Sequence, residues 1–358
     1  GSTAAIDPNE YRRIAEYYEA REDWAQAGKF FAAAGDPARA LRLLLRGGEP
    51  CIPAAIKLVG DTRLEMLSHM LLDYLTGVSD GERKNFMYVF QLYLALRNFK
   101  QAAATAVVIA RQEMELGELK AAHKVLAEAH AALRTQGVRI PSNLASMLEL
   151  VHSYHLSKPL LRAGDHVAAA KMLQRVAAQL SKFPTETVPI LTLVTVESQR
   201  AGFKKTAHSF AVMLMEPERR KQVAPKLLKK IEGLVRRPSD QERAEEETPC
   251  PSCGTPFPAW ELDCPTCRNH LPMCIASGRH MTLDEWSECP RCHSPAQHSY
   301  FLRHITTTAD AESGKAPCPL CSESIHPATV RRVDDPAAAL QAWFERNRAK
   351  LEEDEDED

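Results

Sequence analysis

Residues 250–267 read CPSCGTPFPAWELDCPTC, two Cys-x-x-Cys pairs on either side of ten intervening residues. Two sulfurs three residues apart on a tight turn can reach one tetrahedral ion, and a second such turn completes its coordination. Two further pairs follow, Cys289/Cys292 in CPRC and Cys318/Cys321 in CPLC. Four pairs predict two structural zinc ions, each in a closed site of four cysteines. Cys250, Cys253, Cys264 and Cys267 have the spacing of a zinc ribbon. Cys289, Cys292, Cys318 and Cys321 make the second site across a polar, mobile loop that includes Thr306–Lys315. An ion held by four thiolates keeps no open position for chemistry. The pattern therefore predicts a structural and interaction protein, not an enzyme.

Cys274, His280 and His293 lie among these pairs and leave a second scheme open. In a cross-brace, Cys250/Cys253 would join Cys274/His280, and Cys264/Cys267 would join Cys289/Cys292. That arrangement strands Cys318 and Cys321 and needs an unusually wide Cys274–His280 spacing, so sequential pairing is expected. Cys274 then reads as a small buried hydrophobe, His280 as a packing or supporting residue, and His293 as exposed. Zinc binding contributes on the order of 10 kcal/mol per site to folding, more than so short a segment gains from its own core.

The 249 residues before the first pair hold one cysteine, Cys51. Clustered Cys-x-x-Cys pairs without a wider disulfide framework point to metal sites in a reducing compartment, hence a cytoplasmic protein. No apolar run is long enough to cross a bilayer, so no membrane insertion is expected. Net charge is −2, although the acidic run Glu352–Asp358 alone carries seven negative charges. So mild a balance in the remainder predicts no nucleic-acid partner. Gly1-Ser2 reads as a cloning remnant, with residues 1–5 a disordered start.

Residues 6–235 are rich in Ala and Leu, with apolar residues at helical spacing and prolines at breaks. A turn-into-helix pattern recurs in Asp23-Trp24-x-x-Ala27-x-x-Phe30 and Asp36-Pro37-x-x-Ala40-x-x-Leu43. It returns in Glu118-Leu119-x-x-Ala122-x-x-Val125 and Asp165-His166-x-x-Ala169-x-x-Met172, with weaker copies at Asn98-Phe99 and Gly202-Phe203. The acid caps the helix, the alanine admits a preceding helix, and the last residue fills the groove between them. Such units resemble the second helix of tetratricopeptide repeats. Their uneven intervals predict a mainly α protein, an irregular tetratricopeptide-like α-solenoid.

Residues 236–249 are expected to form a linker, 250–330 the zinc domain, 335–350 an amphipathic helix docked on it or on the solenoid, and 351–358 a disordered tail. No GxGxxG, Walker, GxSxG or HExxH motif occurs. The helical-region histidines are expected singly or on surfaces. His152 and His155 lie one turn apart but lack an acidic third ligand.

From Pro272 the chain runs PMCIASGRHM, then Asp284-Glu285-Trp286. The order CPSCG, CPTC, PMCIASGRHM, CPRC, CPLCSE resembles the C-terminus of intraflagellar transport complex A subunits. LLRAGDHVAAAKMLQRVA, Lys182-Phe183-Pro184 and Arg236-Arg237-Pro238 extend that resemblance, which covers roughly residues 150–330. It implies a scaffold in retrograde transport along cilia and flagella and in ciliary import of membrane cargo. It also implies other complex A subunits, and a tubby-like cargo adaptor, as partners. A vesicle-coat or tethering subunit shares the layout. A RING-like ubiquitin ligase would need the cross-brace.

Overall fold

The computed structural model describes residues 7–82 and 84–347. The expected disordered start and acidic tail lie outside the described residues. The chain divides into two compact units, residues 1–109 and 110–358.

In the first unit, α1 (Pro8–Glu19), α2 (Trp24–Ala33), α3 (Pro37–Arg46), α4 (Ile52–Thr62), α5 (Glu65–Thr76) and α6 (Phe86–Ala95) follow one another. The division between units falls within α7 (Phe99–Leu116). The recurring acids act as read. Asp23 Oδ1 accepts from the Gln26 N–H at 3.1 Å and Asp36 Oδ1 from the Arg39 N–H at 3.0 Å, satisfying amides that a helix start leaves unpaired. Ala27 and Ala40 are wholly buried where α2 and α3 pack. The pattern misplaces one residue, because Phe31 enters the core while Phe30 stays half-buried. A second cluster of Leu41, Ile52, Val59, Leu67, Leu71 and Leu75 joins α3, α4 and α5.

The second unit continues with α8 (Leu119–Thr135), α9 (Ser142–Ala163), α10 (His166–Ala177), α11 (Thr187–Ala201), α12 (Lys204–Leu214), α13 (Pro217–Arg220) and α14 (Pro225–Arg236). Each of α8 to α11 packs on the next, and α12 packs on α14. This helix-on-preceding-helix order is that of an α-solenoid. Asp165 caps α10 through the Ala168 N–H at 3.0 Å, whereas Glu118 makes no such bond at the start of α8.

Residues 237–246 run across these helices rather than away from them. The Gln241 carbonyl and Glu242 Oε2 both accept from the Lys205 N–H at the start of α12, at 3.2 and 2.9 Å, where a helix favours an anion. Glu245 pairs with Lys171 of α10.

Beyond them lie three antiparallel hairpins. β1 (Glu247–Pro249) pairs β2 (Pro256–Pro258), β3 (Trp286–Glu288) pairs β4 (Pro295–Gln297), and β5 (Ala316–Pro317) pairs β6 (Ser324–Ile325). The polar stretch expected as a mobile loop is instead ordered. It begins in α15 (His298–Thr308), which buries Phe301 and Ile305, and continues into a tight turn at Asp310–Lys315. Finally α16 (Pro336–Asn347) sets Phe344 against the cluster of Cys250, Phe257, Cys264 and Leu271. It therefore docks on the cysteine-bearing segment around β1 and β2. Residues 348–350 of the expected helix lie outside the described residues.

Candidate metal centre

One backbone turn is used six times between residues 250 and 323. In each, the first residue's N–H donates to the carbonyl five residues on. The fifth residue donates back to the carbonyl of the first and takes a left-handed φ. At Cys250 these bonds measure 2.9 and 2.9 Å, and at Cys264 3.1 and 2.9 Å. Cys274, Cys289, Asp310 and Cys318 start turns of the same pattern. Their left-handed residues are Gly254, Arg268, Gly278, His293, Gly314 and Ser322, with φ between 54° and 77°. Gly suits this region, and the others tolerate it at some backbone cost.

Four turns carry Cys-x-x-Cys, and their thiols meet two by two. Cys250, Cys253, Cys264 and Cys267 gather in one group, and Cys289, Cys292, Cys318 and Cys321 in the other, with ligand atoms in each group within 4.8 Å of one another. In the first group Cys250 Sγ lies 3.8 Å from Cys267 Sγ, and Cys253 Sγ lies 3.7 Å from Cys264 Sγ. A tetrahedron with metal–sulfur bonds of about 2.3 Å has an edge of about 3.8 Å. The spacing suits a zinc-sized ion with four thiolates. Backbone N–H groups approach the same sulfurs, from Ser252 to Cys250 at 3.4 Å and from Arg291 to Cys289 at 3.4 Å, which supports thiolate charge.

Four crowded thiols cannot ionise alike on their own. Burial pushes Cys250 up to about 12, while the hydrogen bond with the Thr255 hydroxyl brings exposed Cys253 down to about 6. In the second group, hydrogen bonding among the thiols holds Cys292 far below the ordinary thiol range and drives Cys318 above it. A divalent cation resolves this conflict by stabilising every thiolate at once.

The interleaved cross-brace does not form. His280 is buried and stacks on Phe257 with ring centroids 4.3 Å apart; one ring nitrogen lies 2.7 Å from Thr248 Oγ1 and the other 2.9 Å from the Glu261 carbonyl. His293 is exposed; its N–H closes the Cys289 turn at 2.9 Å and its carbonyl accepts from Arg134 Nε at 2.5 Å.

Cys274 is more than a buried hydrophobe. It opens a turn of the same geometry in which Ser277 stands where a second cysteine would be, and its Sγ accepts N–H bonds from Ser277 at 3.4 Å and Gln297 at 3.2 Å. The turn at Asp310 is likewise closed by hydrogen bonds, Asp310 Oδ1 accepting from Glu312 and Ser313. Both turns keep a serine at the fourth place and a glycine at the fifth. That echo of CPSCG was a readable signal that attention to cysteine pairs alone passes over.

These hairpins are keyed onto α8, α9 and α10. Arg175 of α10 donates through Nη2 to the carbonyls of Trp260 at 2.5 Å and Gly278 at 2.9 Å, and through Nη1 to Ser153 Oγ at 3.1 Å. Gly278 fits against wholly buried Met172, and a Cβ there would lie 2.3 Å from Met172 Sδ. His270 sits between Glu149 at 3.1 Å and Asp263 at 2.8 Å; burial lowers its pKa, but those two carboxylates outweigh burial and raise it.

The helical histidines, expected singly or on surfaces, include a buried stack. His152 Nε2 donates to the Ile275 carbonyl at 2.8 Å, so its Nδ1 accepts from His123 Nε2 at 2.9 Å. Burial lowers His123 to about 2 and His152 to about 4, which keeps both rings neutral and matches this donor–acceptor order. His155 stacks on His123 at 4.5 Å. Sequence spacing puts His152 and His155 one turn apart but gives no sign of His123, which comes from another helix.

No protein-family model matches the chain. It is 42% identical over 340 residues to WD repeat-containing protein 19 of Mus musculus, covering 94% of this chain. It is 43% identical over 330 residues to the Homo sapiens protein of that name, and 37% identical over 278 residues to WD repeat-containing protein dyf-2 of Caenorhabditis elegans. The chain spans about a quarter of the length of the first two, 25% and 24%. By this identity along nearly its whole length, the chain belongs to the WD repeat-containing protein 19 family, the intraflagellar transport complex A family that PMCIASGRHM resembles.

Proposed function

We propose that this chain is the solenoid end and zinc module of an intraflagellar transport complex A scaffold, the one-hundred-and-forty-four-kilodalton subunit, and that it makes contacts rather than catalyses. The observation that carries this reading is the pair of closed thiol quartets in hairpins locked onto α10 by Arg175 and Gly278. Two zinc ions, bound by Cys250, Cys253, Cys264 and Cys267 and by Cys289, Cys292, Cys318 and Cys321, make that module rigid. Helices of residues 6–235 and the zinc module of 250–330, joined through 236–249, offer an extended surface to other complex A subunits. The wider role is retrograde ciliary transport and ciliary import of membrane cargo, with a tubby-like adaptor on the full assembly. The protein works in cytoplasm, basal body and cilium.

The test is replacement of the full-length protein in ciliated cells by a form with Cys289→Ser and Cys318→Ser. The reading expects loss of co-purifying complex A subunits and accumulation of transport particles at ciliary tips. Normal assembly and normal return traffic would contradict it.

A further inference from the structure

Between Pro217 and Arg237 the chain places eight basic residues against two acids, Glu218 and Glu232. On α14 they are sorted by face. At about 100° per residue, Lys226, Lys229, Lys230, Gly233 and Arg236 fall within an arc of about 120°, opposite the packing face around buried Ile231, and Arg237 follows just past the helix end. The side chains of Lys226, Lys229, Lys230 and Arg237 are exposed and have no ion-pair or hydrogen-bond partner among the described residues. Arg220 and Arg236 share Glu232, at 2.6 and 3.8 Å.

Gly233 occupies the middle of this stripe. Its φ is not left-handed, and a Cβ there would meet nothing within 4 Å. Neither backbone conformation nor packing within the chain asks for glycine, although glycine weakens a helix interior relative to alanine. What a glycine does provide is close approach of another molecule to the helix backbone. The stripe presents no aromatic or aliphatic side chain for insertion into lipid, so an anionic membrane would gain nothing from the notch. A helix carrying carboxylates on either side of one apolar side chain would use both features, the side chain seating over Gly233 and the acids reaching the lysines.

We infer that the exposed face of α14 is a docking surface for an acidic amphipathic helix of a protein partner. The surface is separate from the zinc module, and the inference holds whichever assembly the chain serves.

The probe is a fluorescent helical peptide of about 15 residues, with glutamates flanking a single leucine, titrated against the zinc-loaded chain by anisotropy. The comparators are the same peptide with glutamine for glutamate and phosphatidylcholine vesicles with about one-third phosphatidylserine. Binding should be restricted to the glutamate peptide, weaken with salt, and fall about tenfold or more with Lys229→Glu plus Lys230→Glu. Gly233→Ala should move two readouts in opposite directions, raising Tm by about 2–4 °C while weakening the peptide several-fold. A purely structural glycine would leave binding unchanged. The inference is overturned by equal affinity for the glutamine peptide, by indifference to the charge reversal or to Gly233→Ala, or by capture of vesicles in place of the peptide.

Discussion

Replacing Gly278 with alanine probes the joint between hairpins and helices at its tightest point. Gly278 has φ 77°, and a side chain in that left-handed region costs about 1–2 kcal/mol. The new Cβ would also sit 2.3 Å from Met172 Sδ and 2.7 Å from Met172 Cε. Met172 is enclosed with Leu156, Ala168, Ala259 and Trp260, so its thioether has no solvent to swing into, and overpacking adds about 1–3 kcal/mol. The sum is about 2–5 kcal/mol. Gly254 is the internal control, because it opens from the equivalent turn at φ 75° with nothing within 4 Å of a Cβ. Gly254→Ala should therefore cost only the backbone share of about 1–2 kcal/mol. Urea unfolding of the zinc-loaded chain, followed by tryptophan fluorescence and far-ultraviolet circular dichroism, gives both values. A double-mutant cycle with Met172→Ala should recover the steric share of Gly278→Ala and nothing of Gly254→Ala. Equal costs for the two glycines, or no relief from Met172→Ala, would refute the close fit.

Three further outcomes follow from the same joint. Arg175→Lys keeps the charge but cannot fork to the Trp260 and Gly278 carbonyls, so it should destabilise by about 2–3 kcal/mol, read as a lower urea midpoint with zinc still bound. His123 and His152 are held neutral at about 2 and about 4 by burial, whereas the unfolded chain binds protons near pH 6.5. The unfolded state then holds more protons below that pH, so stability should fall between pH 6.5 and 5 by about 1–2 kcal/mol per histidine. His270, whose pKa is raised, has the opposite sign: its contribution is present at low pH and is lost as pH rises through its folded value. His123→Gln should flatten the acid-side slope, and an unchanged slope would contradict the assignment. Cys274→Ala removes the acceptor for Ser277 and Gln297; metal analysis should show zinc per chain unaltered, with stability lower by about 1 kcal/mol.

Local signals were readable wherever they served a local purpose. Asp23, Asp36 and Asp165 announce helix starts because a side-chain oxygen caps an amide a few residues away. The Cys-x-x-Cys pairs announce their turns because two sulfurs on one turn must converge, and sequential pairing left none of the eight unused. What stayed hidden depends on residues distant in sequence. Nothing near Arg175 says that it will reach Trp260 and Gly278, and nothing near His123 points to His152 on the next helix. The stretch after Thr306 was misjudged from polarity, since Phe301 and Ile305 bury the preceding turns and Asp310 closes a tight turn with its own side chain. Cys274 is buried and outside both thiol groups as expected, but its place at the head of a turn shows only when that turn is compared with the other five.

We propose that two thiolate quartets, each closed around a zinc ion, make rigid the hairpins that Arg175 and Gly278 key onto α10. Zinc K-edge absorption on the purified chain, with metal quantified per polypeptide, tests it most directly. The account predicts two zinc ions per chain, each with four sulfur neighbours at about 2.3 Å. A shell containing nitrogen or oxygen, or a folded chain carrying no metal, would contradict it.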